Sequence, residues 1–529
     1  MEQIERDLRV LHERRHGWAR LPVGTKIEYL LAVRAGVASC AREWAAAAAA
    51  AKGIAPDSAL VGEEWISGPW AVLYALNRYV RSLRDVARYG SPRLPRGSVR
   101  ARADGQLVVG VYPSTPYDAL LLPGVRAEVW MQRDVGAGDL ASSMATFYRE
   151  PEPSGRVALV LGAGNISSIP VLDILYKFIA EGSVCILKMN PINAFLGPLF
   201  ERVFEPFVRA GYLRFAYGDA TVGKFLCSHD LVDEIHITGS TSTHDAIVAE
   251  LNDTKPISSE LGNVSPTIVI PGNWSASDFR FQAEHIATQK LHNAGYNCVA
   301  SQVLLLSKAW DGTPKLLAAL ADALRASAAR PAYYPGSQRR RADALALHPG
   351  VGPVVRVERL DDPLLTSEAF CDVLGCVEID GDPAAFLRDA VAFSNQRLPG
   401  TLGVNLIVHP RTRRHMIAQI DRAIAELRYG CIAVNTWAGV GYFIAETPWG
   451  AYPGNTLDAA GSGIGFVHNS YLFARAQKSV VSAPFRPFPK PSFFITNRMQ
   501  ATIGERLCAF EAHPSPGRFI SVAAAALAG

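Results

Sequence analysis

Residues 156–188 read RVALVLGAGNISSIPVLDILYKFIAEGSVCILK. The run Arg156-Val-Ala-Leu-Val-Leu161 predicts a buried strand, and a glycine-rich turn follows at 162–164. Ile169 to Ala180 carries apolar residues at helical spacing, and Ser183-Val-Cys-Ile-Leu-Lys188 predicts a second buried strand. The rhythm continues with a helix from Phe195 to Ala210 and strands at 214–217 and 234–238. Strands alternating with helices at this spacing predict an α/β fold, a parallel sheet with helices on both faces.

Outward from this unit, residues 1–90 have helical periodicity until Gly90-Ser-Pro-Arg-Leu-Pro breaks it. Strand-like stretches follow at 106–112 and 127–131. A second α/β region begins near 260, with strands at 266–270, 303–306, 403–408 and 432–435. The tail after 476 is Pro-rich and aromatic, and reads as an arm lying on another subunit or domain.

At 529 residues the chain is too long for one core. A net charge of +4 gives no reason to expect a nucleic-acid partner, and Arg339-Arg340-Arg341 reads as a solvated helix face. The eight cysteines form no CxxC pair and no zinc spacing, so a reducing, cytoplasmic setting is expected and no metal is. The charged start MEQIERDLRVLHERR lacks the apolar core of a signal peptide, and no stretch has the length of a membrane span.

Gly162-Ala-Gly164 after a strand is similar to a dinucleotide fingerprint, but its third glycine is replaced. The acidic residue expected about 20 positions on is missing, Lys188-Met-Asn-Pro standing there instead. A tight strand-to-helix turn is the plainer reading. Four segments taken together say more: Asn165 with Lys188, Ile237-Thr-Gly239-Ser240-Thr, Glu260-Leu-Gly-Asn-Val-Ser-Pro, and Gly295-Tyr-Asn-Cys298. In order and spacing these resemble the aldehyde dehydrogenase superfamily, and Glu368-Ala-Phe370, Pro448-Trp-Gly-Ala and Ser462-Gly-Ile-Gly extend the resemblance over about 155–485.

The resemblance implies two open parallel-sheet α/β domains plus oligomerisation strands. Residues 1–154 would complete the cofactor domain, 155–258 would form the NAD(P)-binding domain and 259–450 the catalytic domain. Residues 451–529 would return to the cofactor domain and end in an oligomerising arm. It implies Cys298 as the nucleophile, Asn165 as an oxyanion donor and Glu260 as the general base. Lys188, Gly239, Ser240, Glu368 and Phe370 would hold NAD or NADP, with NAD slightly favoured. A thiolate suits attack on a carbonyl near neutral pH, the resulting oxyanion needs donors, and hydrolysis of the thioester needs a carboxylate.

Each residue also has a plain structural reading: a buried thiol, an ion-pair carboxylate, an amide holding its turn. The expected partner is a small aldehyde, and the expected assembly a homodimer or homotetramer. Tyr296, Trp437 and Tyr442 are candidate pocket residues hinting at an apolar or aromatic substrate. Departures from the family pattern are Asn263, Val264, Cys371 and about four extra residues between Glu260 and Cys298. A CoA-acylating dehydrogenase on the same fold is the nearest competing reading, and a non-catalytic scaffold is another.

Overall fold

The computed structural model describes residues 1–251, 255–348, 352 and 354–529. Two sheets organise them. The smaller has six strands in the order 463–464, 257–261, 234–239, 157–161, 184–188 and 213–216; all neighbours are parallel except the first pair. Val157–Leu161 and Val184–Lys188 pair in register from Val157↔Val184 to Leu161↔Lys188. Both strands are buried on both faces, which is why they read as unbroken apolar runs. From Val157–Leu161 the chain builds outward one way and then returns to build the other way. The carboxyl ends of 157–161 and 234–239 therefore flank a topological switch point, where a crevice opens in sheets of this kind.

The larger sheet has ten strands. Seven are parallel, from 476–482 through 431–434, 403–407, 265–269, 301–307 and 374–379 to 354–356. The strands 126–131, 107–112 and 99–101 continue it antiparallel beyond 476–482. The exposed strand Val99–Ala101 forms the outer edge of this sheet. The chain passes from the small sheet to the large one through Gly262-Asn263-Val264, between strands Ile257–Leu261 and Ser265–Val269.

The periodic N-terminal segment forms helices Glu2–Ala19, Val23–Ala51, Val61–Trp65 and Ala71–Tyr89. Trp18, fully buried, packs on Phe178 and Phe207 and donates its indole N–H to the Phe178 carbonyl at 3.1 Å, fixing the first helix to the small-sheet layer. The helix expected at 195–210 is broken at Phe204 into Gly197–Val203 and Glu205–Ala210. Pro206 occupies the first turn of the second piece and cannot donate a backbone bond. The Pro-rich stretch near 483–491 leads into two helices, Gln500–Ala512 and Pro516–Leu527, which that composition did not predict. Gln500–Ala512 lies close against Val61–Trp65: a Cβ on Gly62 would meet the Gln500 backbone at 2.4 Å. Among the described residues no helix is long and apolar enough to cross a membrane.

Candidate active site

A cavity of about 670 Å³ opens at the switch point, between the two sheets. All eight site residues expected from sequence line it: Asn165, Lys188, Gly239, Ser240, Glu260, Cys298, Glu368 and Phe370.

The Cys298 loop is built by backbone constraint. Helix Ala276–Leu291 ends in a tight turn in which Asn293, Ala294 and Gly295 all have positive φ, and strand Ser301–Ser307 follows. Gly295 has φ +82°, and a Cβ there would lie 2.6 Å from the Cys371 carbonyl oxygen, so glycine is required on both counts. The Asn293 amide donates to the Asn165 carbonyl (3.1 Å) and the Tyr296 carbonyl (3.0 Å). The Asn165 amide also donates to the Tyr296 carbonyl, at 2.9 Å. Asn165 is thereby tied to the backbone two residues before the thiol.

The loop is held from behind by residues that sequence reasoning did not single out. Lys52 donates to Asn293 Oδ1 (2.9 Å) and pairs with Glu64 (2.7 Å), while the Asn293 N–H donates to Glu63 (2.7 Å), which pairs with Arg330 (2.6 Å). All four charged side chains are buried, so loss of one partner leaves the other uncompensated. Helices near the N-terminus therefore buttress the nucleophile loop.

Glu260 lies at the end of strand Ile257–Leu261, in register with Thr238 on the neighbouring strand. Its Oε1 is buried with no hydrogen-bond partner. Burial raises its pKa to about 8; the Cys298 thiol and Trp449 indole offset part of this, and Asp173 and Glu368 add to it. Burial, followed by the charge of Glu260, pushes the Cys298 thiol well up. The two groups titrate as neighbours. Glu368 is raised by burial to about 7, opposed by the Asn263 N–H (3.3 Å), Lys290 and Arg340. A Cβ on Gly262 would fall 2.5 Å from Glu368 Oε2, so this carboxyl needs glycine beneath it.

At the other end, Lys188 closes its strand and is buried, its pKa lowered by that burial. Gly239 ends strand Glu234–Gly239, and Ser240 accepts from the Thr243 N–H at 3.2 Å, at the start of helix Thr241–Leu251. Gly239 is exposed, and a Cβ there would make only an ordinary contact with its nearest neighbour, Ile237, at 3.7 Å. A helix N-terminus, a lysine and an open glycine edge form a donor set suited to a phosphate-bearing ligand.

Arg340 corrects the reading of 339–341 as a solvated face. Arg339 is exposed and Arg341 pairs with Asp372, but Arg340 lines the cavity with Nε and Nη2 buried and unpartnered. Its guanidinium lies 5.8 Å from the Phe370 ring centre and 5.9 Å from that of Tyr334. A triplet of arginines at one place on a helix carries no mark of which one turns inward.

Cys298 and Asn165 also border a smaller cavity of about 30 Å³, with Trp437, Tyr442, Phe443 and Trp449. Two of the three expected aromatics are there. Tyr296 is not: it packs against Tyr333, Tyr334 and Phe370 and lines a separate cleft. Three histidines lie near the small sheet: His236 is buried against Ser258 (2.9 Å), His244 against Asp245 (3.2 Å), and His229 pairs with Glu5 (3.2 Å); none of the three lines the main cavity.

Fold and site together define a two-sheet α/β protein with a thiol and a buried carboxyl lining one crevice of about 670 Å³. Residues 131–342 match the profile of the Aldehyde dehydrogenase family. Among curated relatives, the 3-sulfolactaldehyde dehydrogenase of Pseudomonas putida is 31% identical over 154 residues, 28% of this chain and 30% of that one. The coniferyl aldehyde dehydrogenase of Pseudomonas sp. (strain HR199 / DSM 7063) is 26% identical over 211 residues, 40% and 38% of the two chains. The chain spans about a third of the length of the curated relatives it matches. The solved NAD-dependent aldehyde dehydrogenase from Sinorhizobium meliloti superposes with a TM-score of 0.62 at 16% identity, covering 92% of this chain and 88% of that one. The chain is thus similar to aldehyde dehydrogenases in sequence over residues 131–342 and in fold over most of its length.

Proposed function

We propose that the protein oxidises an aldehyde to a carboxylic acid through a thioester on Cys298. The observation that carries this is the convergence on one cavity of a recessed thiol, a buried carboxyl with an unpartnered oxygen, an amide beside the thiol and a donor set suited to a dinucleotide. Cys298 reacts as the thiolate, its proton released to solvent, and its Sγ forms a bond to the carbonyl carbon. The oxyanion accepts hydrogen bonds from the Asn165 amide and the Cys298 backbone N–H. Bound NAD(P) would supply the hydride acceptor. Lys188 is the residue for its adenosine ribose, Gly239 and Ser240 for its pyrophosphate, and Glu368 and Phe370 for its nicotinamide end. NAD is favoured, and NADP is also accommodated, because Pro191 stands where a carboxylate would repel a 2′-phosphate. Glu260, its pKa near 8, takes a proton from the water that opens the thioester, and the acid leaves.

We read 155–258 with the N-terminal helices as the cofactor-binding part and 259–450 as the catalytic part. A homodimer or homotetramer would cover the open edge at Val99–Ala101. The test is absorbance at 340 nm with a panel of aldehydes and NAD or NADP, with and without CoA. Reduced cofactor forming without CoA is the expected result; turnover only with CoA would replace hydrolysis by acyl transfer to CoA. In the same assay Asn165→Ala is expected to lower kcat about 10²–10³-fold, the cost of losing one oxyanion donor, with the KM for NAD unchanged. An unchanged kcat would return Asn165 to a turn-holding role.

A further inference from the structure

A second cavity, of about 260 Å³, lies on the other side of the short helix Ala438–Phe443 from Cys298. Trp70 and Tyr74, the segment 120–125, the Pro-rich stretch and the last two helices enclose it. Phe443 is the residue common to this cavity and to the small one bordered by Cys298. The ring of Trp437, on the Cys298 side, meets that of Phe493, on the other side, with centroids 6.4 Å apart. The partition is thus one short helix with the aromatic rings of Trp437, Phe443 and Phe493 beside it.

The wall is apolar, and each charged group in it is already engaged. Asp118 pairs with Arg78 at 2.6 Å, Glu511 accepts from Asn77 at 2.7 Å, and Lys490 pairs with Glu284 at 2.9 Å. His285 is bonded through both ring nitrogens, to Gln282 (3.1 Å) and Gln289 (3.0 Å), and burial lowers its pKa to about 3, so it is neutral. The Trp70 indole N–H is a buried donor with no partner. A charged occupant would lose its hydration and find no counter-charge; a neutral hydrocarbon would not. The volume is close to the lower end of the range of about 300–1,000 Å³ for small-molecule sites.

We infer that the substrate is a neutral aldehyde with an extended apolar tail. The carbonyl lies beside Cys298 and the tail passes Phe443 into the cavity closed by the Pro-rich stretch and the C-terminal helices. This inference rests on the aldehyde-oxidising reading of Cys298.

The test uses the full-length protein with saturating NAD and linear aldehydes from propanal to decanal. kcat/KM is expected to rise about fourfold per added methylene until the cavity is filled, the ratio expected for each methylene buried. Ala523→Trp, on the half-buried outer helix, and Leu121→Trp, from another wall, each fill the cavity and are expected to flatten that rise. Two variants from separate elements guard against one that fails to fold. Nile red binding, with displacement by decanol, is measured in parallel. A flat or falling chain-length dependence in an active enzyme overturns the inference while leaving aldehyde oxidation intact. Absence of turnover, with Nile red displaced from the wild type and not taken up by the variants, supports the apolar site and sinks the oxidation reading. Absence of both turnover and displacement overturns both.

Discussion

Cys298→Ala is expected to abolish aldehyde-dependent NAD(P)H formation, with a fall on the order of 10⁴-fold or more, as befits loss of a nucleophile whose partners act only through it. The fold should survive, because the substitution removes one polarizable atom from a half-buried loop position bordering two cavities. Cofactor binding, followed by quenching of protein fluorescence, should be unchanged, which separates lost chemistry from lost structure. Alkylation gives a second readout. Among the eight free cysteines only Cys40 and Cys298 are not fully buried. Iodoacetamide should therefore modify these two, with inactivation tracking Cys298 alone. Since burial and Glu260 hold the thiol well above its usual range, the rate at 298 should climb steeply with pH. Full activity in the alanine variant would end the thioester mechanism and leave the fold without its proposed chemistry.

How much of this could be seen in the sequence differs by region, for physical reasons. The unit 157–188 was legible because both strands are buried on two faces and the helix between them carries its own period. The eight cavity residues were legible because each lies at the end of a strand, in the segment directly after one or in the loop preceding one, where neighbours along the chain decide position. Lys52, Glu63 and Arg330 were not: they meet Asn293 and one another across long sequence separations, and a buried ion pair leaves no local pattern. Tyr296 was misplaced because the three left-handed residues before it turn its ring away from the thiol side. The two C-terminal helices were hidden behind the proline-rich stretch, although Ser515 followed by Pro516 is a helix-start signal. The Ser515 hydroxyl does accept from the Arg518 N–H, and Pro516 stands in the first turn.

Glu260→Gln should separate the two halves of the reaction. Loss of a general base costs about 10²–10⁴-fold in kcat, and the acidic limb of the pH profile, along which wild-type activity rises as Glu260 loses its proton near pH 8, should disappear. Rapid mixing should still give one equivalent of reduced cofactor per site, because the thioester forms before water is needed. Hydroxylamine, which needs no base to open a thioester, should restore turnover. A burst slowed as much as kcat would mean that Glu260 serves the thiol rather than the water. Stability offers an independent check with a definite sign. In the unfolded chain this carboxyl loses its proton near its ordinary value of 4.5, whereas the folded protein holds it to about 8. Between those values the unfolded state binds fewer protons, so the wild type loses stability as pH rises through the window. Glutamine carries no such proton. The Tm of the variant should therefore exceed that of the wild type by a margin that is near zero below pH 4.5, widens up to pH 8 and is constant above it. A margin that does not move with pH would mean that the carboxyl is paired in solution, and so unable to act as the base.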